Sequence, residues 1–142
     1  MNLRKMNEKD VEVVIKLLDQ LGYPNTKEFL PSKIKSLLED SDEYLIVAED
    51  WEGNVIGFIS IHIIPQIALK GDFARISYFS VEENYRSSGI GKLLEEYCEK
   101  VARERNCDRI ELHCNFHREK AHRFYDRQGY TEFPKYFMKK LQ

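Results

Sequence analysis

No apolar run in the 142 residues approaches the roughly 20 that a membrane-spanning helix requires. The opening Met1-Asn2-Leu3-Arg4-Lys5 has no apolar segment of the secretory kind behind it, so no leader is expected. Excess charge is missing too. With 22 Lys and Arg against 24 Asp and Glu, the net charge of −2 removes any electrostatic reason to expect nucleic acid or an anionic membrane as partner. Cysteine is scarce, and Cys98, Cys107 and Cys114 cannot all pair within one chain or match a disulfide framework, which points to a reduced, cytoplasmic setting. What remains is ordinary for a globular protein, 42% hydrophobic and 32% charged. The length suits one domain over residues 1–142 with a single core.

The local pattern gives an order of elements. Leu3 to Met6 reads as a short edge strand, and Asn7, three residues before Asp10, as a helix N-cap. Val11, Val14, Ile15, Leu18 and Leu21 keep a helical period that stops at Gly22. A second helix carries Ile34, Leu37 and Leu38, with Pro31 near its start. Tyr44 to Glu49, Val55 to His62 and Ala74 to Val81 read as strands, with Pro65 ending the second. The next helix runs to about Arg105, with Ile90, Leu93, Leu94, Tyr97 and Val101 on one face and Glu95, Glu96, Glu99, Lys100 and Arg103 opposite. Arg109 to Cys114 alternates as a strand, which would put Cys114 in the core beside Ile110 and Leu112. A helix from about Arg118 to Gln128 closes on Gly129, and Tyr130 to Phe133 and Tyr136 to Lys139 read as a hairpin around Pro134. The class is mixed α/β, with about six to seven strands and about four helices.

The stretch from Val81 through Lys92 is where chemistry concentrates. Ser87, Ser88, Gly89 and Gly91 let a ligand approach the backbone closely. The first amides of the following helix have no intrahelical partner, and the helix dipole with Arg86 and Lys92 favours an anion of phosphate size. A P-loop would need glycine at Arg86 and Ser or Thr at Leu93, and a dinucleotide fingerprint would need a third glycine. The stretch instead resembles the acetyl-CoA pyrophosphate loop of the GNAT superfamily of N-acetyltransferases: Arg86-x-x-Gly89-x-Gly91, with Val81 five residues before the arginine. Further on, Ala121-His122-Arg123-Phe124-Tyr125-Asp126-Arg127-Gln128-Gly129-Tyr130 is similar to the A-x-x-F-Y-x-x-x-G-[FY] signature that closes such domains. The likeness covers nearly the whole chain and is weakest before Tyr44.

That resemblance implies a GNAT-like acyl-CoA N-acyltransferase fold, a central, mostly antiparallel, twisted sheet flanked by helices. It implies acetyl-CoA as co-substrate, no metal, and direct acetyl transfer to a primary amine of a small molecule, as in the aminoalkylphosphonate branch. Pantetheine would lie along the strand ending at Val81, with the Phe79 N–H facing the thioester oxygen. The amides from Arg86 through Ser87, Ser88, Gly89, Ile90 and Gly91, with Lys92, would take the pyrophosphate. Tyr125 matches the family's general acid, and a phenol's ordinary pKa of about 10 suits a departing alkyl thiolate. Asn115 matches the residue that holds pantetheine or an ordered water. A homodimer is common in such proteins.

Other readings stand beside these. Phe124 and Tyr125 also fit as core residues of a short helix, and Asn115 as a cap of it. Glu82, Glu83, His62 or water are the candidates for the base. His113, Cys114, His117 and His122 match no zinc spacing. A non-catalytic acyl-CoA sensor, or an enzyme acting on peptides, would use the same loop. Tyr125 favours an enzyme, because a sensor needs no acid at the thiolate. Arg75 and Lys70 suit an acceptor with an anionic group.

Overall fold

Asn7 opens the first helical segment through a reciprocal capping box. Its side-chain oxygen accepts from the Lys9 N–H at 2.9 Å, and the Asp10 carboxylate accepts from the Asn7 N–H at 2.8 Å. Arg4 donates two bonds of 2.8 Å to the same carboxylate, tying strand β1 (Asn2–Lys5) to the helix start. Helix α1 (Val11–Leu21) follows the turn Glu8–Asp10 and ends at Gly22, whose φ of 106° is the left-handed conformation expected there. Helix α2 (Leu30–Leu38) holds Pro31 in its first turn, where the missing N–H has no helical partner to lose. In the computed structural model, which describes residues 1–114, 118–133 and 136–142, the chain divides into two compact units, Met1–Glu111 and Leu112–Gln142.

The first unit is built on a five-stranded sheet in the order β1–β2–β3–β4–β5. β2 (Glu43–Glu49), β3 (Val55–Ile64) and β4 (Phe73–Val81) pair antiparallel, and β5 (Arg109–Glu111) joins β4 in parallel. Side chains alternate across the sheet, so its two faces meet different helices. Leu45, Val47 and Phe58 pack with Val14, Leu17, Leu18, Leu30 and Ile34 from α1 and α2. Gly57, adjacent to Phe58 and so on the opposite face, lies under Ile90 and Leu94 of α3 (Ile90–Glu104). A Cβ there would sit 3.4 Å from both side chains and 3.0 Å from the Ser80 carbonyl, so glycine lets the helix seat close to the strands. Burying the fully enclosed Leu17, Ile59, Ile61, Ile63, Ile90 and Leu94 stabilises the unit by about 1.5–3 kcal/mol each.

Three expectations are corrected. The α3 face is rotated from the predicted one: Glu95 is buried while Leu93 is 40% exposed. Ile90, Leu94, Cys98, Val101 and Ala102 form the buried stripe, and Glu95 sits on its flank beside Cys98 and Ala102. The strand predicted to Cys114 stops at Glu111, where its pairing with β4 ends opposite Arg75. Cys114 is accordingly half-buried rather than a core residue. The predicted terminal hairpin contributes no strand among the described residues, and Pro134 at its turn lies outside them. Aromatic β-propensity needs a partner strand to act, and Phe133, Tyr136 and Phe137 are exposed. The sheet therefore has five strands rather than six or seven. In the second unit, α4 (Glu119–Arg127) forms where the sequence predicts it, with Gly129 at φ 89° just beyond. No described helix is long and apolar enough to cross a membrane.

Candidate active site

The segment between β4 and α3 takes an unusual path, and small residues permit it. Beyond Val81 a 3-10 turn (Glu83–Tyr85) reverses the chain, with the Glu82 carboxylate accepting from the Asn84 N–H at 2.7 Å. The Tyr85 hydroxyl donates to Asp50 at 3.1 Å, and Asp50 also accepts from the Glu52 and Asn54 N–H groups, which fastens the segment to the β2–β3 turn. Ser87 then lies at φ 69° and Gly89 at φ 90°. The left-handed Ser87 is an expense that sequence reading missed, since only glycine signals such a position in advance.

Helix α3 begins at Gly89 with no side-chain cap. Its first N–H groups, those of Ile90, Gly91 and Lys92, carry the positive end of the helix dipole. Arg86, Ser87, Ser88 and Gly89 are exposed around them, and Lys92 is exposed with Glu96 3.9 Å away. Nothing lies within 4 Å of where a Gly89 Cβ would stand. Ile90 is fully buried, while Gly91 behind it is half-buried. Arg86 is steered by its Nε–H, which donates to the Val81 carbonyl at 3.2 Å. The arrangement fits an anion with several acceptor oxygens, a pyrophosphate above all.

β4 leads into this loop with an irregularity of its own. Ser60 pairs with Tyr78 and Ile61 with Ile76, so Ser77 is the extra residue of a β-bulge. The β5 ladder ends two residues earlier, at Arg75, and β4 runs on to Val81 past it. Phe79, half-buried and paired with Ile59, lies in that outrunning portion. Loop and strand thus bring Phe79, Val81 and Arg86 to Lys92 together in the first unit. Of the base candidates, Glu82 is engaged as the turn's cap and faces Lys16 at 3.9 Å, while Glu83 is exposed. His62 sits in β3 with its Nδ1 against the Glu43 carboxylate.

Tyr125 belongs to the second unit. It is half-buried in α4, with its ring edge-on to Phe124 at 5.3 Å and to Tyr130 at 5.5 Å. Asn115 and His117 lie outside the described residues. Burial pushes the Cys114 thiol up and Arg118 only partly opposes it, so the reactive thiolate is disfavoured. Burial likewise pushes Cys98 up to about 12. Among the described residues no three His, Cys, Asp or Glu side chains form a metal-sized group.

Residues 12–130 match the model of the Acetyltransferase (GNAT) family. The chain is 28% identical to an aminoalkylphosphonate N-acetyltransferase of Salmonella typhimurium, over 98% of this chain and 90% of that one. It is 29% identical to a probable glucosamine 6-phosphate N-acetyltransferase of Drosophila melanogaster, over 94% of this chain and 62% of that one. Among solved structures it is similar to a GNAT family acetyltransferase of Staphylococcus aureus, with a TM-score of 0.81, 26% identity, and 99% and 98% of the two chains covered. With a family model spanning most of its length and the family's loop standing where β4 meets α3, the chain belongs to the GNAT family of N-acetyltransferases.

Proposed function

We propose that the protein transfers the acetyl group of acetyl-CoA directly to a primary amine of a small molecule. The observation that carries the reading is the open start of α3: uncapped N–H groups behind Gly89, with exposed Arg86 beside them, suit the pyrophosphate of a coenzyme A thioester. Both named relatives act on amines that also carry a phosphonate or phosphate, which supports a small-molecule acceptor of that kind. The reading treats residues 1–142 as one catalytic domain, supported by a family match that runs through both units.

The residues then have distinct tasks. The amides of Ile90 and Gly91 hold the pyrophosphate, and Val81 and Phe79 guide pantetheine along β4. The Phe79 N–H stabilises the tetrahedral oxyanion, a role typically worth about 3–4 kcal/mol. Tyr125 gives its proton to the departing thiolate, and Asn115 holds pantetheine or a water. The roles of Tyr125 and Asn115 rest on the motif they match.

Calorimetry tests the reading. Acetyl-CoA is expected to bind, and acetyl-pantetheine, which lacks the pyrophosphate, to bind about 100-fold more weakly, the worth of two charge-assisted hydrogen bonds. Equal affinities would remove the loop from the site. A panel of primary amines with acetyl-CoA, read by thiol release, then identifies the acceptor; transfer only to peptide amines would replace the small-molecule reading.

A further inference from the structure

Four charged or titratable residues line up across four strands. In register, Glu43 of β2 stands opposite His62 of β3, His62 opposite Arg75 of β4, and Arg75 opposite Glu111 of β5. They pair off in twos: the Glu43 carboxylate against His62 Nδ1, and Glu111 against the Arg75 guanidinium. The next rung on the same face is Leu45 opposite Ser60, and Leu45 packs with α1 and α2. The row therefore lies on the α1–α2 side of the sheet, beyond the apolar core. Tyr78, opposite Ser60 on that face, is 41% exposed and meets Tyr23 edge-on at 5.3 Å.

We infer that His62, oriented by Glu43, is the general base that takes the proton from the acceptor's ammonium group. Three features carry this. The row sits where β4 and β5 stop pairing, at Arg75 and Glu111, two residues before the bulge at Ser77. An acyl group delivered along β4 from Val81 toward Phe79 points to that end of the strand. The exposure is also graded in the manner of an oriented base: the Glu43 side chain is 9% exposed and that of His62 36%. The Glu43 carboxylate lies against Nδ1, which leaves Nε2 as the ring nitrogen an acceptor can meet. Finally, Glu111 offsets the charge of Arg75, the cation that faces His62 from β4. From the β2 side, the ring faces Glu43, on which Asp40 and Asp42 also act. Burial raises the Glu43 carboxyl, and His62 opposes that rise.

The inference rests on the proposed acetyl transfer. The ammonium loses one proton to His62 Nε2, and the freed nitrogen lone pair attacks the thioester carbonyl carbon. The C–N bond forms, the C–S bond breaks, and the thiolate takes a proton from Tyr125. The second proton of the attacking nitrogen, lost as the amide forms, restores Tyr125 through water. One proton per turnover leaves through His62 to solvent.

The test compares pH profiles of kcat/KM for wild type, His62→Gln and Glu43→Gln, using the best acceptor in the amine panel, with acetyl-CoA affinity measured in parallel. His62→Gln is expected to lose about 10²-fold or more at pH 7. The gap should close as pH rises toward the range where the amine is free without help. Glu43→Gln should show a smaller loss with the same convergence, and neither variant should change acetyl-CoA affinity. A loss constant with pH, or none, would overturn the base assignment while leaving the acetyl-transfer reading intact. A wild type that binds acetyl-CoA yet acetylates no amine would overturn both. Should His62→Gln not fold, the wild-type imidazole decides by nitrogen NMR: its Nε2 resonance moves on adding the acceptor if His62 meets it, and stays still if it does not.

Discussion

The helical segment that begins at Asn7 has its first N–H groups closed by its own side chains, whereas α3 begins at Gly89 with none. At the first, Asn7 accepts from the Lys9 N–H, Asp10 accepts from the Asn7 N–H, and Arg4 neutralises the Asp10 carboxylate with two bonds of 2.8 Å. At the second, Ser87 and Gly89 adopt positive φ and no side chain caps the amides. Any helix start presents N–H groups that lack an intrahelical partner. The sequence resolves them differently: one is a structural joint, the other a place kept for an anion. Stability should therefore reside at the first and ligand affinity at the second.

The largest expected effect separates binding from chemistry. Tyr125→Phe keeps the ring that meets Phe124 and Tyr130, so melting temperature and acetyl-CoA affinity should barely move. Its kcat should fall by about 10²–10³, since an acid acting on the leaving thiolate counts only in the transition state. Parent-like turnover would make Tyr125 a packing residue. Next comes Gly89→Val, which puts a branched side chain at φ 90° where phosphate must approach. Acetyl-CoA affinity should drop by about 100-fold by calorimetry in the folded variant; unchanged affinity would mean that the open start is not the anion site.

The converse change acts on the closed start. Asp10→Asn should cost about 2 kcal/mol in denaturant unfolding and leave acetyl-CoA affinity alone. Arg4 holds the Asp10 carboxyl below its ordinary range, ahead of the opposing effect of burial. The unfolded chain therefore takes up the proton first as pH falls. This stabilisation is complete above the unfolded pKa of about 4 and is lost as pH drops through the depressed folded value. The variant should lack that portion of the acid sensitivity; equal acid slopes for parent and variant would contradict it. Smallest of all, Cys114→Ala should keep its turnover and lose about 1 kcal/mol or less, as befits a half-buried thiol held protonated. A folded variant without activity would make Cys114 a nucleophile.

Features written in local sequence were legible in advance. Gly22 and Pro65 end their elements where chain geometry requires it, Asn7 caps its helix, and the small residues of the loop mark the start of α3. What escaped depends on partners distant in sequence. Nothing near His62 says that Glu43 and Arg75 will flank it, because register belongs to the assembled sheet. Gly71 is similar: its importance is visible only once its Cβ position is seen 2.6 Å from the Asp108 nitrogen. In α3 the apolar letters Leu93 and Tyr97 shift the apparent face, while Cys98 and Ala102 mark the true one, which takes in Glu95. Alternation in the sequence runs on to Cys114, past Glu111, where the pairing of β5 with β4 ends.

The two helix starts can be compared in a single titration. Acetyl-CoA added to nitrogen-15-labelled protein should shift the amide resonances of Ile90, Gly91 and Lys92 strongly, and leave those of Lys9 and Asp10 in place. Shifts at the capped start, or none at α3, would contradict the account.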